Sequence, residues 1–283
     1  MPRSTQALTS IACILHVADG VKSAALPLAV KTAEAAGAFL SVAVIAPKAQ
    51  VPFSVFGSSY VGPLVADLNK HSLSEAEVVL TEARHLISNA GLKGDVQISH
   101  DSVDVAAAQA VLAARAADLV IVDQPSAMLD VKGLVLEEAL FRSGRPLLVA
   151  PAKSPLGHEV RHIVIAWDGS PHAARAVADA VSFFQGIISA DVVVVQGEKD
   201  LSKSLPGADL AQHLARKGIE AKLVELQAKE RPVGKVLDNY ALEAGADLLV
   251  MGGFGHSRVR EFLFGGVTVE LSQSASVPLL MAY

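Results

Sequence analysis

The stretch Asp247–Thr268 reads D-L-L-V-M-G-G-F-G-H-S-R-V-R-E-F-L-F-G-G-V-T. A short apolar run, Leu248 to Met251, ends abruptly at Gly252, Gly253 and Gly255. A run of that length closed by glycines predicts a buried strand that stops at a tight loop. After nine further residues come Gly265 and Gly266, and then a helical-looking stretch, Val267 to Ser274. Glycines permit unusual φ values and let backbone N–H groups approach an anion closely. A helix that begins just after them adds the positive end of its dipole. His256, Arg258 and Arg260 stand between the two glycine clusters, in a chain whose net charge is −5. Strand, glycine loop, basic segment, glycine pair and helix make an order that suits a phosphate. The plainer alternative is that these glycines only make turns.

Upstream of this stretch, strand patterns alternate with helix patterns. Strands are predicted at Ile11–Val17, Phe39–Ile45, Asp95–Ser99, Leu119–Val122 and Pro146–Ala150. The helices between them are Ala24–Ala36, Val65–Asn89, Val103–Ala116 and Leu134–Phe141, and Pro47 to Pro63 reads as an unusually apolar loop. The Pro/Gly/Ser segment Pro151 to His158 reads as a linker. Then the pattern restarts, with strands at His162–Trp167, Ala190–Val195, Ala221–Leu226, Leu248–Met251 and Pro278–Ala282. Its helices are Pro171–Phe184, Asp209–Lys217 and Val233–Ala244, followed by the one after Gly266. Parallel strands need long, usually helical crossovers, so this alternation predicts an α/β fold with a parallel sheet.

The chain also repeats itself. A-D-L-V-I-V at 117–122 matches A-D-L-L-V-M at 246–251, and P-L-L-V-A at 146–150 matches P-L-L-M-A at 278–282. Asp19-Gly20 is matched with Asp168-Gly169. The second copy is then about 20 residues shorter between its first and fourth strands, and the missing length is assigned to the loop Pro47–Pro63. One duplicated α/β unit explains these matches, with a first domain at 1–152 and a second at 153–283. Ligands of open α/β sheets bind at the carboxyl ends of strands where strand order reverses.

G-x-x-G, nine residues, then G followed by a small hydroxyl residue is the nucleotide-binding pattern of universal stress proteins. Gly252, Gly255 and Gly265 resemble it, with Gly266 in the hydroxyl place. The ending V-P-L-L-M-A-Y is similar to that family's last strand. The resemblance spans both copies. It implies two tandem five-stranded, doubly wound parallel sheets of order 3-2-1-4-5, paired antiparallel through their last strands within one chain. Dimerisation of whole chains stays open. The resemblance also implies an adenine-nucleotide-binding stress-response protein, with ATP and Mg2+ as ligands. In the 3-2-1-4-5 order the crevice lies between strands 1 and 4, so Asp168, Gly169 and the glycine loop face it. Family analogy assigns Asp168 to the nucleoside and Val194 and Val195 to the base, and His256 and Ser257 are able to donate to phosphate. The expected nucleotide set is Asp168, Gly169, Val194, Val195, Gly252, Gly253, Gly255, His256, Ser257, Gly265, Gly266, Val267 and Thr268. Thr268 is the hydroxyl nearest to the departing Gly266.

In the first copy Asp123, Pro125 and Ser126 replace the loop, since Asp123 and Ser126 match Gly252 and Gly255. A carboxylate there repels phosphate and Pro125 lacks an N–H donor. Gly133 is the residue that can match Gly265. This half is therefore expected not to take nucleotide by the family mode.

Bulk composition bounds the rest. A pI near 6.0 argues against a general nucleic-acid surface. No apolar run reaches the roughly 18 residues of a membrane span, and no signal-peptide pattern is seen. The single cysteine, Cys13, lies in an apolar strand, reads as a small buried hydrophobe, and points to a cytoplasmic protein. His158 and His162 stand four apart, as H-E-V-R-H, but straddle a linker and a strand start rather than a helix, so no zinc site is read there. A G-x-S-x-G elbow and a P-loop are absent from the sequence. No catalytic residue or metal ligand is assigned. Two rival functions remain: a slow ATP hydrolase, with Glu261 as the nearest acid to the glycine loop, and an interaction module that has lost its ligand.

Overall fold

A computed structural model describes residues 8–17, 22–50, 61–152, 159–196, 207–253 and 266–283. The first half runs β1 (Ser10–His16), α1 (Ala25–Ala36), β2 (Phe39–Pro47), α2 (Val61–Asn89), β3 (Gly94–Asp101), α3 (Val103–Ala114), β4 (Leu119–Asp123), α4 (Val131–Arg142) and β5 (Leu147–Ala150). The second runs β6 (His162–Ala166), α5 (Pro171–Phe183), β7 (Ser189–Gln196), α6 (Gly207–Arg216), β8 (Glu220–Gln227), α7 (Val233–Glu243), β9 (Leu248–Gly252), α8 (Gly266–Ser274) and β10 (Leu279–Ala282).

The strands form one ten-stranded sheet in the order β3-β2-β1-β4-β5-β10-β9-β6-β7-β8. Each half has the 3-2-1-4-5 order. All neighbours are parallel except β5 and β10, which pair antiparallel with Leu148 opposite Leu280. The two halves thus join through their last strands, as the apolar endings P-L-L-V-A and P-L-L-M-A require: unpaired, each would be an exposed apolar edge.

Strand residues alternate between two cores. Cys13 and Leu15 face one with α1, α2, α5 and α6, while Ala12 and Ile14 face the other with α3, α4, α7 and α8. Both sheet faces are covered, which is why the strands read as continuous apolar runs. Alanine at 25, 29 and 33 gives α1 a stripe without bulk, and all three are fully buried. Burial, and then the charge of Asp123, push the Cys13 thiol well above its ordinary value. It packs as the small buried hydrophobe expected.

The repeated Ala-Asp dipeptide has a structural cause. Asp118 Oδ2 accepts from the N–H groups of Thr9 and Ser10 at 2.9 and 3.0 Å. Asp247 Oδ2 does the same for Arg161 and His162, at 2.9 Å each. Each carboxylate ties the start of the half's fourth strand to the start of its first. Ser10 and His162 therefore hold the same place.

That register corrects the match of Asp19 with Asp168. Counting along the strands from Ser10 and His162, the place of Asp168 falls to His16. Asp19 lies three residues further on, outside the described residues. A shared Asp-Gly dipeptide in a loop is a weaker guide than a strand register.

The extra length of the first half also falls elsewhere than expected. It lies mainly in α2, which has 29 residues where α6 has 10. The helix begins at Val61, inside the segment read as loop, because Pro63 sits in its first turn, where no intrahelical N–H bond is lost.

Candidate nucleotide site

The strand order reverses between β6 and β9, so the crevice of the second half opens at their carboxyl ends. Asp168 and Gly252 stand there, as expected. Beyond β6, Trp167 is buried and donates its N–H to Val193 O at 2.8 Å. Asp168 Oδ1 accepts from Ser170 N–H at 3.0 Å, and Gly169 between them has φ 71°. Ser170 is the N-cap of α5, its Oγ accepting from Ala173 N–H at 3.1 Å, with Pro171 in the first turn. Capping thus falls to Ser170 rather than to Asp168.

Gly252 meets α5 directly. A Cβ at this position would lie 2.7 Å from Ala173 N and 3.1 Å from His172 C. These are backbone atoms of a capped helix and cannot yield cheaply. Gly252→Ala is therefore expected to cost about 1–3 kcal/mol through overpacking, read as a lowered urea midpoint. A neutral result would show that α5 sits further from β9 than described.

Gly253 is buried, and its N–H is taken by Ala282 O at 2.8 Å. It also lies against Leu140 of α4, so its place serves the junction between the halves. Val194 and Val195 are half-buried near the end of β7, one packed on each core. At the start of α8, Gly266 is exposed, Val267 half-buried and Thr268 buried. Gly255, His256, Ser257, Arg258, Arg260, Glu261 and Gly265 lie outside the described residues.

A cleft of about 550 Å³ adjoins Gly266, lined by Val269, Glu270 and Gln273 of α8 and by Met128 and Leu129 of the first half. The turn of the first half therefore borders Gly266 and the start of α8. Ser272 Oγ donates to Met128 Sδ at 3.6 Å across the same junction.

The equivalent place in the first half is closed from within. Asp123, at the position of Gly252, is buried. Its Oδ1 accepts from Ser23 Oγ at 3.1 Å and from the N–H groups of Ala24 and Ala25 at 2.8 and 2.9 Å, at the start of α1. Its Oδ2 is 3.8 Å from Lys132 Nζ. Burial first, and then the Lys132 charge, lower the His16 pKa, so His16 is neutral at physiological pH. A repelling carboxylate at Asp123 is legible in the sequence; that it caps the start of α1, and that Asp130 accepts from the N–H groups of Ser126, Ala127 and Gly133, is not. Asp130 was legible as an acid just before a helical pattern with Gly133 three residues on.

A second polar cluster lies at the opposite, amino-terminal end of the strands. Buried Asp191 accepts from Tyr240 Oη at 2.7 Å, and Lys222 Nζ and His162 Nε2 lie 3.2 and 3.6 Å from the same oxygen. Burial, and then the bond and charge of Asp191, push the Tyr240 phenol up to about 12. The folded state therefore holds this proton more tightly than the unfolded chain, where tyrosine titrates near 10. Its stabilisation is complete below about pH 10 and is lost as pH rises through about 12. Phenolate absorbance should show a late-titrating component from Tyr240, and Asp191→Asn should bring it earlier. An unchanged titration in that variant would contradict the assignment.

Among the described residues there is no cluster of metal-ligating side chains, and no helix is long and apolar enough to cross a membrane.

Comparison with known proteins agrees with this architecture. The model of the universal stress protein family matches residues 159–282. A universal stress protein of Synechocystis sp. is 25% identical over 152 residues, which cover 52% of this chain and 50% of that protein. The chain thus matches about half the length of that relative. The crystal structure of a universal stress protein from Archaeoglobus fulgidus DSM 4304 superposes with a TM-score of 0.69 at 18% identity, covering 96% of this chain and 95% of that one. A putative universal stress protein from Pseudomonas aeruginosa UCBPP-PA14 gives 0.55 at 13% identity, covering 97% and 93%. At these identities the structural likeness speaks for the fold. Residues 159–282 thus resemble the universal stress protein family, and the two five-stranded halves are consistent with a tandem arrangement of that fold.

Proposed function

We propose that this protein is an adenine-nucleotide-binding regulator that holds ATP, with Mg2+, in its second half alone. The observation that carries the reading is the asymmetry at one strand end. Where β4 ends in a buried carboxylate bonded to the start of α1, β9 ends in Gly252, which presents no side chain to the crevice. The glycine spacing of the second half and its basic segment support phosphate there, and Asp168 stands at the switch point as an acceptor for a nucleoside. Regulation fits better than turnover. Phosphoryl transfer needs charge-neutralising groups and a positioned water, and the imidazole of His172, the residue against Gly252, is stacked on Tyr283.

Trp167 is the only tryptophan of the chain and directly precedes Asp168, so its emission is a built-in reporter. Titration with Mg-ATP is expected to change that emission saturably. Asp168→Ala is expected to weaken the apparent affinity about tenfold, the equivalent of roughly 1.4 kcal/mol. Equal affinities in the two proteins would remove Asp168 from the site.

A further inference from the structure

We infer that the first half carries a tethered anion of its own: the Asp130 carboxylate occupies the backbone cradle that corresponds to the phosphate loop of the second half, and so excludes anionic ligands from the first. The inference rests, for the second half, on the reading just given. Asp130 is the N-cap of α4 and accepts from Gly133 N–H at 2.7 Å. Capping needs no more than that. Yet its other oxygen accepts from Ser126 N–H at 3.0 Å, Ser126 Oγ at 2.7 Å and Ala127 N–H at 2.9 Å. Ser126 and Gly133 are the residues matched to Gly255 and Gly265. Both counterparts of the pattern glycines thus donate to one internal carboxylate.

The cradle is tight. A Cβ on Gly133 would run into the carbonyl oxygens of Met128 and Ala127. Burial raises the Asp130 carboxyl, and the hydrogen bonds from Ser126, Gly133 and Ala127 outweigh it and hold the group below its ordinary range. It is therefore ionised under physiological conditions. By sequence, the residue matching Asp130 is Val259 by the offset of the fourth strands and Phe262 by that of the fifth, with the acid Glu261 between them.

A tethered carboxylate loses no translational freedom on binding, so a free anion competes with it at a disadvantage. An incoming phosphate would also meet the charge of buried Asp123 at the end of the adjacent strand. Asp130 and Asp123 are in this sense the residues that decide which half accepts an anion.

The test follows the backbone amides of Ser126, Ala127 and Gly133 by NMR in the full chain while inorganic pyrophosphate is added at constant ionic strength. The wild type is expected to show no saturable shift at these amides. Asp130→Ser, which keeps a helix-capping hydroxyl and removes the charge, is expected to show one at all three. Asp130→Asn keeps the shape and serves as the folded reference should the serine variant unfold; its amides are expected to respond also, more weakly. Silent amides in folded Asp130→Ser and Asp130→Asn, or a saturable response in the wild type, would overturn the inference. Amides at Asp168 and Gly169 in the same spectra report separately on the second half. Silence there would count against the nucleotide reading while the first-half amides still decide this one.

Discussion

Leu280→Ala is expected to lower the stability of the whole chain by about 2–5 kcal/mol. Leu280 is fully buried, opposite the almost fully buried Leu148, in the antiparallel pair at the centre of the ten-stranded sheet. Its neighbours Leu279 and Met281 face the other core, so β10 has no solvent side toward which a cavity could collapse. The pair also carries the load of the junction. Tyr283 beyond β10 stacks on His172 of α5 at 4.8 Å and meets Phe141 of α4 edge-on at 4.8 Å. Arg175 Nη2 reaches Gly144 O at 3.1 Å, and Gln124 Nε2 reaches Ala275 O at 3.0 Å. With the halves bound this closely, urea should unfold wild type and variant in one transition, the variant at lower midpoint with an unchanged slope. A loss below about 1 kcal/mol, or a new intermediate in the wild type, would mean that the two halves fold independently.

Asp123→Ala is expected to cost about 3 kcal/mol, since it removes a buried, hydrogen-bonded charge. Three donors at the start of α1, Ser23 Oγ and the N–H groups of Ala24 and Ala25, lose their acceptor at once. Lys132, mostly buried, loses its counter-charge. Asp123→Asn keeps an acceptor and should lose clearly less. Equal losses in the two variants would show that packing, and not the charge, holds this corner. The experiment matters for function because the same strand position in the second half is Gly252, which closes on α5 without any side chain.

Much of this was legible in the sequence. Alternating strand and helix patterns and the duplicated A-D and P-L-L segments were enough for the α/β class and the two halves, while the strand order, the pairing of last strands and the position of Asp168 and Gly252 at the switch point came with the family resemblance that the glycine spacing carries. Each of those signals is local and periodic, so a single chain displays it. What stayed hidden depends on contacts between distant segments. The register that places His16 against Asp168 is set by Asp118 and Asp247 reaching across to β1 and β6, and a loop Asp-Gly dipeptide misled the eye. The first turns of α2 were hidden by Gly62 and Pro63, which look like loop residues and are tolerated where a helix begins. The nest around Asp130 needed the fold of residues 126–133 as a whole. Among the expected site residues, Gly253 has a visible structural reason that composition does not reveal: its amide belongs to the β10 junction.

The measurement that tests the central claim most directly is calorimetric titration of the full chain with Mg-ATP, after removal of any nucleotide that purifies with it, beside a Gly255→Trp variant. One site per chain, lost in the variant, is the predicted result: a second half that takes nucleotide and a first half closed by its own carboxylates. Two sites per chain, or one site that survives the tryptophan, would contradict it.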